Sequence, residues 1–424
     1  MKFYLFIVVL FATSLQAQKE EYILLKGDRV FDGENMHEGW SVLIKNNLIE
    51  AVGIISALPP NTVVKNYPGC TIMPGLIEGH SHLFLHPYNE TPWDDQVLKE
   101  SRAERMARAV NHANATLMAG FTTVRDLGTE GAMYDDDGLK KAIEKGIIPG
   151  PRMIIASRAI VAKGTYGPRS ESADITLVQG AAEVSNADEM AKEVRTQIAA
   201  GADVIKIYAD YRWGTNHEAL PTFTIEELAT AVAIATSGNR KVVAHATTVE
   251  GMRRAIMAGI STIEHGDDGT AEIFALMKEK KVALCATLAA GDATLQYAGW
   301  KKGTNPEPAR ITKKKKSFAL ALQSGVTICM GGDAGVFAHG NNALEMEMMV
   351  AYGMKPLEVL RSATSVNADV FGYANTIGRL KKGLRADVVV AEGNPAENIL
   401  YVRKVGFVMK DGVIYKMNGL QNSP

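Results

Sequence analysis

The chain has 424 residues, 46% of them hydrophobic and 22% charged, the profile of a folded protein with a large core, which excludes disordered and collagen-like classes. Its 46 Lys and Arg against 47 Asp and Glu leave a net charge of −1, without the basic excess of a nucleic-acid binder. Three separated cysteines, Cys70, Cys285 and Cys329, form neither a disulfide framework nor a cysteine-type zinc site.

In chain order, residues 1–17 read as a secretory signal: Lys2 is the charged start, Phe3 to Leu10 the apolar stretch and Ala17 the small residue before the cut. That stretch is short for a bilayer span, no cysteine follows it as in a lipoprotein, and no later window reads as transmembrane. The expected location is secreted or periplasmic, with no membrane span once the signal is removed. Residues 18–75 mix β-branched residues with Gly, Asn and Pro, and so read as short strands. Residues 373–424 read the same way, with Asp411-Gly412 as a hairpin turn. The two ends are expected to build one small composite β-sandwich.

Between them, residues 76–372 alternate short apolar runs with helical patterns such as ADEMAKEVRTQIAAG and TIEELATAVAIATSG. The apolar runs are IEGHSHLF, FTTVRDL, PRMIIASRAI, ADVIKIYAD, KVVAHATT, STIEHG, VALCATL and VTICMGGDAG. Strand alternating with helix implies a parallel sheet, and eight such units imply a (β/α)8 TIM barrel. An open doubly wound sheet is the second reading, but no G-x-G-x-x-G follows the first strand. The run from Lys313 to Lys316 reads as a solvated helix face.

In a barrel the chemistry sits at the C-terminal ends of the strands. The first run ends in His80-Ser81-His82, whose two imidazoles face one side because strand residues alternate. The fourth carries Lys206 among apolar neighbours, the fifth ends at His245, the sixth at His265 and the eighth at Asp333. A lone histidine in a strand is ordinarily a core residue. A metal ligand delivered at the same level by five strands is not, and a buried lysine needs a reason.

The segments TIMPGLIEGHSH, FTTVRDLG, GADVIKIY, STIEHG, GGDAG and IGRLKKGLRADVVVAEGNP, spread in order over nearly the whole mature chain, resemble the amidohydrolase superfamily. Within it the chain is most similar to the branch of Xaa-Pro dipeptidases and ochratoxinase-like amidases, with a further likeness to imidazolonepropionase-related members. The resemblance implies a barrel with a composite β-sandwich and two divalent metal ions, zinc by default. His80, His82 and Asp333 would hold one metal and His245 and His265 the other. Lys206, N-carboxylated by CO2, would bridge them. Burial near the metals keeps its amine neutral, as that reaction requires. Two ions about 3.5–4 Å apart would share an attacking hydroxide, with Asp333 as general base. Mononuclear deaminases of the superfamily carry a glutamate where this chain has Thr248, which favours amide hydrolysis over deamination; cyclic-amide opening is the alternative.

The implied substrate is a dipeptide or N-acyl amino acid with a free carboxylate, a small molecule and not a nucleic acid. Candidates to bind it are Tyr208, Tyr211 and Arg212 after the fourth strand, Lys163 and Arg169 after the third, and His339 after the eighth. Where many dipeptidases of the branch have Gly-Gly-His-Gly, this chain has Gly164-Thr165-Tyr166-Gly167, so Tyr166 is expected to donate to the oxyanion. Residues 289–310 read as a loop covering the site, with Tyr297 and Trp300 for apolar contacts. Arg125-Asp126 is expected to pair internally and support the site. Members often assemble, so a homo-oligomer is compatible.

Overall fold

The computed structural model describes residues 21–168, 172 and 174–417; the signal reading of residues 1–17 and the candidate Arg169 lie outside them. No helix among the described residues is long and apolar enough to cross a membrane.

Both ends of the chain share one mixed sheet of eight strands. The N-terminal part supplies Tyr22–Phe31, Met36–Glu38, Ser41–Lys45, Leu48–Gly53 and Val63–Pro74. The C-terminal part adds Val388–Glu392, Val405–Lys410 and Val413–Met417. The two halves meet where Val388–Glu392 runs antiparallel to Val63–Pro74, with Val390 opposite Ile72. Leu25, Val30, Ile44, Ile72, Val390 and Phe407 bury one apolar cluster there. The last hairpin turns on Asp411 (φ 50°) and Gly412 (φ 78°), the left-handed pair expected of Asp-Gly.

Between these ends the chain builds parallel strands alternating with helices. Leu76–Ser81 (β1), Phe121–Asp126 (β2) and Arg152–Ile155 (β3) form one parallel sheet. Val204–Tyr208 (β4), Lys241–Ala246 (β5), Thr262–His265 (β6), Ala283–Cys285 (β7) and Ile328–Cys329 (β8) form the other in that order. Ile160–Ala162 and Ala182–Val184 extend its β4 edge. Backbone hydrogen bonds join the two sheets, from Asp203 N–H to the Ile155 carbonyl (2.8 Å) and from Gly79 N–H to the Met330 carbonyl (3.1 Å). The parallel strands fit the expected barrel.

The helices start and stop where their sequences say. Thr224 caps Ile225–Ser237 with a full capping box and Gly238 ends it. Asn186 caps Ala187–Ala199. Period-two alternation then sorts β4: Ile205 and Ile207 join the large core that also holds Met190, Val194 and Leu228 from the helices, while Val204, Lys206 and Tyr208 take the opposite face.

Two expectations need correction. The run PRMIIASRAI is two strands, not one, because Ser157 adopts φ 60° while its N–H is held by buried Asp136 (2.8 Å). Much of 289–310 is helix rather than loop: Leu288–Tyr297 and the start of Ala309–Ser324 fall in it.

Candidate active site

The strand ends converge on a cavity of about 390 Å³ lined by His80, His82, His245, His265 and Asp333. Tyr166, Tyr208, Tyr211, Arg212 and Glu130 complete much of the wall. Asp333 Oδ1 lies 3.3 Å from His82 Nε2 and 3.6 Å from His80 Nε2. The His265 ring centroid is 5.2 Å from that of His80 and 4.4 Å from that of His245. Ligand atoms of His80, His265 and Asp333 lie within 4.8 Å of one another.

The backbone is bent to make this possible. Successive strand residues face opposite sides, yet Glu264 and His265 both reach His80. His265 adopts φ 76°, which ends the alternation of β6 and turns its imidazole to the same side. Asp333 (φ 64°), Thr287 (φ 50°) and Glu130 (φ 50°) are left-handed as well. Non-glycine residues in that region are costly and cluster where function holds them.

Three of the four rings are oriented from behind by hydrogen bonds. His80 Nδ1 meets Glu264 Oε2 at 2.8 Å, His82 Nδ1 the Gly128 carbonyl at 2.8 Å, and His265 Nδ1 Thr287 Oγ1 at 2.7 Å. In all three the Nε2 is left to face the cavity, the arrangement typical of metal-ligating histidines. His245 is stacked on Tyr208, with centroids 4.5 Å apart. Behind Glu264, Arg125 donates to its Oε1 (2.8 Å) and to the Gly79 carbonyl (2.6 Å). The supporting partner of Arg125 is therefore Glu264 rather than its neighbour Asp126, which accepts Leu83 N–H at 3.0 Å.

Electrostatics follow from burial and charge. Burial, with Lys206 nearby, pulls His80 down to about 4 and His245 to about 3, so both rings are neutral at pH 7, the form that binds metals. Burial opposes ionisation of Asp333, but His80 and His82 outweigh it and hold the carboxyl at about 2. His82 goes the other way: despite its burial, Asp333 raises it to about 9. Lys206 is 1% exposed, and its Nζ has no hydrogen-bond partner among the described residues. Burial lowers its pKa against the pull of Glu264 and Asp333.

The substrate candidates divide. Tyr208, Tyr211 and Arg212 line the cavity, and Arg212 has no carboxylate partner among the described residues. Tyr166 also lines it, with its hydroxyl on Glu130 Oε2, which Trp93 Nε1 reaches at 3.1 Å. Lys163 and His339 are absent from the wall. The His339 ring stacks on His112 at 4.3 Å and bonds the Leu85 carbonyl, so the turn after Asp333 carries it away from the cavity. Tyr297 and Trp300 are not on the wall either; the helix Leu288–Tyr297, which Trp300 follows, presents Leu288, Gly291 and Thr294 instead. Thr248 caps Val249–Met257 and donates to Asp210 Oδ2 (2.7 Å). Glu130, Glu264 and Thr287 were not singled out from the sequence. A charged Glu264 directly before His265 in the short strand β6 is the one available signal.

The amidohydrolase family profile matches residues 71–416. The chain belongs to the amidohydrolase family. It is 30% identical to ochratoxinase of Aspergillus niger over 92% of this chain and 85% of that protein. A solved Xaa-Pro dipeptidase with methionine bound in its active site superposes with a TM-score of 0.82 at 29% identity, over 93% of this chain and all of that one. A solved prolidase complexed with N-methylphosphonate-L-proline gives 0.82 at 26% identity, over 94% of this chain and all of that one. This amidohydrolase is thus a hydrolase acting on carbon–nitrogen bonds, in a family that typically uses metal ions.

Proposed function

We propose that this amidohydrolase is a binuclear metal-dependent enzyme that hydrolyses the amide bond of a dipeptide or N-acyl amino acid whose leaving amino acid has a free carboxylate. The observation that carries the reading is Lys206. Its buried Nζ has no hydrogen-bond partner among the described residues although carboxylates and imidazoles surround it, and its lowered pKa favours the neutral amine that adds to CO2. The anionic product would be satisfied by two cations and by little else.

The donor set fits such a centre: His80, His82 and Asp333 for one ion, His245 and His265 for the other, and carboxylated Lys206 between them, with zinc suited to these ligands. When bound, the ions would supply Lewis acidity toward the carbonyl and acidify water. Asp333, ionised across the neutral range, accepts a proton beside the attacked carbon and can return it to the leaving nitrogen. Arg212, which has no carboxylate partner among the described residues, offers its guanidinium to the substrate carboxylate. Tyr166, with its ring centroid 4.7 Å from that of Tyr208, can turn its O–H hydrogen bond from Glu130 to a carbonyl oxygen. The relatives named for dipeptide or proline substrates support the substrate class.

The same reading closes the parallel strands, residues 76–372, into one barrel flanked by a composite sandwich of 18–75 and 373–424. The hydrogen bonds between the two parallel sheets support it. Export by residues 1–17 rests on the sequence pattern.

The test is metal content after reconstitution with bicarbonate, for the native chain and Lys206→Ala, followed by a dipeptide and N-acyl amino acid panel. About two ions per chain, falling in the variant, are expected. One ion indifferent to Lys206 would overturn the binuclear reading and turn the search to cyclic amides.

A further inference from the structure

A second cavity of about 400 Å³ opens at the opposite ends of the parallel strands. Its wall includes the first residues of β4, β5 and β6, with Phe371 at the end of the helix Asn367–Phe371 and Tyr373 just beyond it. None of the metal-ligand candidates lines it. It is nearly the volume of the catalytic cavity, and within the range of small-ligand sites.

Its charges do not balance. Asp203 on the wall is held by Lys140 (2.7 Å), and Arg125 is held by Glu264 (2.8 Å). Arg240 and Lys241 remain. Arg240 donates to the Ala202 and Gly238 carbonyls, and Lys241 Nζ to the Val370 carbonyl. Neither has a carboxylate partner among the described residues. Two adjacent cations that face a concave, partly aromatic wall and whose hydrogen bonds among the described residues go to carbonyl oxygens leave a place for a negative charge. A carboxylate fits the guanidinium fork, and the rings favour an apolar body behind it.

We propose that this cavity is a binding site for a small organic carboxylate, separate from the catalytic cavity. Arg240 and Lys241 hold the anion, and Phe371 and Tyr373 pack against its apolar part. The class is one the enzyme itself produces, since hydrolysis of an amide releases a carboxylic acid. Arg125 lies on this wall with its guanidinium carbon 4.1 Å from the Phe371 ring centroid. It also holds Glu264, which orients His80, so the two cavities share one chain of contacts.

The test is calorimetric titration of the metal-loaded enzyme with benzoate, with neutral benzamide and inorganic phosphate alongside. Saturable benzoate binding is expected. It should be lost in Arg240→Gln/Lys241→Gln and kept in Arg212→Gln, and neither benzamide nor phosphate should match it. Thr236→Glu is the second variant: Thr236 is an exposed helix residue on the same wall, so the change is tolerated by the fold and sets a like charge beside the anion. It should weaken benzoate at least about tenfold, while amide turnover without benzoate stays at the native rate. Binding that survives both changes, that is lost with Arg212→Gln instead, or that phosphate matches would overturn the proposal, as would the absence of saturable binding.

Discussion

His80 Nδ1 and Glu264 Oε2 lie 2.8 Å apart, one from β1 and one from β6, with Arg125 completing the chain behind Glu264. The carboxylate fixes the proton on Nδ1 and so leaves Nε2 as the ligating nitrogen. Burial opposes ionisation of Glu264, yet Arg125 and His80 together hold it ionised, well below the usual carboxylate range.

Glu264→Gln keeps the shape and removes the charge. Metal affinity should fall about 10–100-fold, read as the chelator concentration that halves activity. The change also strands Arg125, 2% exposed, without its partner, so the metal-free protein should lose several kcal/mol of stability. An unchanged chelator midpoint would remove Glu264 from the support of the centre.

Arg212 should report the substrate carboxylate. Arg212→Ala is expected to raise KM for N-acyl amino acids by roughly 10–100-fold, the worth of a charged hydrogen bond of about 1.5–3 kcal/mol, with little change in kcat. The corresponding amino-acid amides should be insensitive. Equal losses on both substrates would assign the arginine to the fold of its hairpin, where Arg212 pairs with Ala219.

Tyr166 and Glu130 should act as a pair. Tyr166→Phe is expected to lower kcat and leave metal content alone. In Glu130→Gln the Tyr166 hydroxyl loses a charged acceptor, and Trp93 loses its partner on the same oxygen. The double variant should cost less than the sum of the single losses, because both changes break one contact. Additive losses would show that the two residues work separately.

Glu345 gives a pH signature away from the metal ligands. It is fully buried, accepts Ala289 N–H at 2.7 Å and so supports the start of the helix Leu288–Tyr297, whose N-cap Thr287 makes no side-chain cap bond. Burial, against the Ala289 and Leu288 amides, pushes its carboxyl up to about 8. The unfolded chain ionises it near about 4.3, so between these values the folded state holds the extra proton. Its contribution to stability is therefore full below the unfolded value and is lost as pH rises through about 8. Relative to Glu345→Gln, which imitates the protonated form, the native chain should lose thermal stability across that window. Parallel stability curves for the two proteins would contradict this.

Much of the architecture was legible in the sequence because its signals are local. The helix Ile225–Ser237 sits between its Thr cap and its glycine, the Asp411-Gly412 turn makes its hairpin, and the period of two put Val204, Lys206 and Tyr208 on one face. His80, His82, His245, His265 and Asp333 were readable for the same reason: each interrupts an apolar run near its end, and parallel strands bring such ends to one level. The tertiary structure decided what depends on contacts between distant segments. Glu264 is a partner of His80 only because residues 184 apart in sequence become neighbours, and Arg125 chooses Glu264 over adjacent Asp126 for the same reason. His339 lies off the cavity wall, stacked on His112, and nothing local tells which way a turn leaves a strand end. A strand's own pattern tells which side chains share a face; which face meets which needs the packed chain.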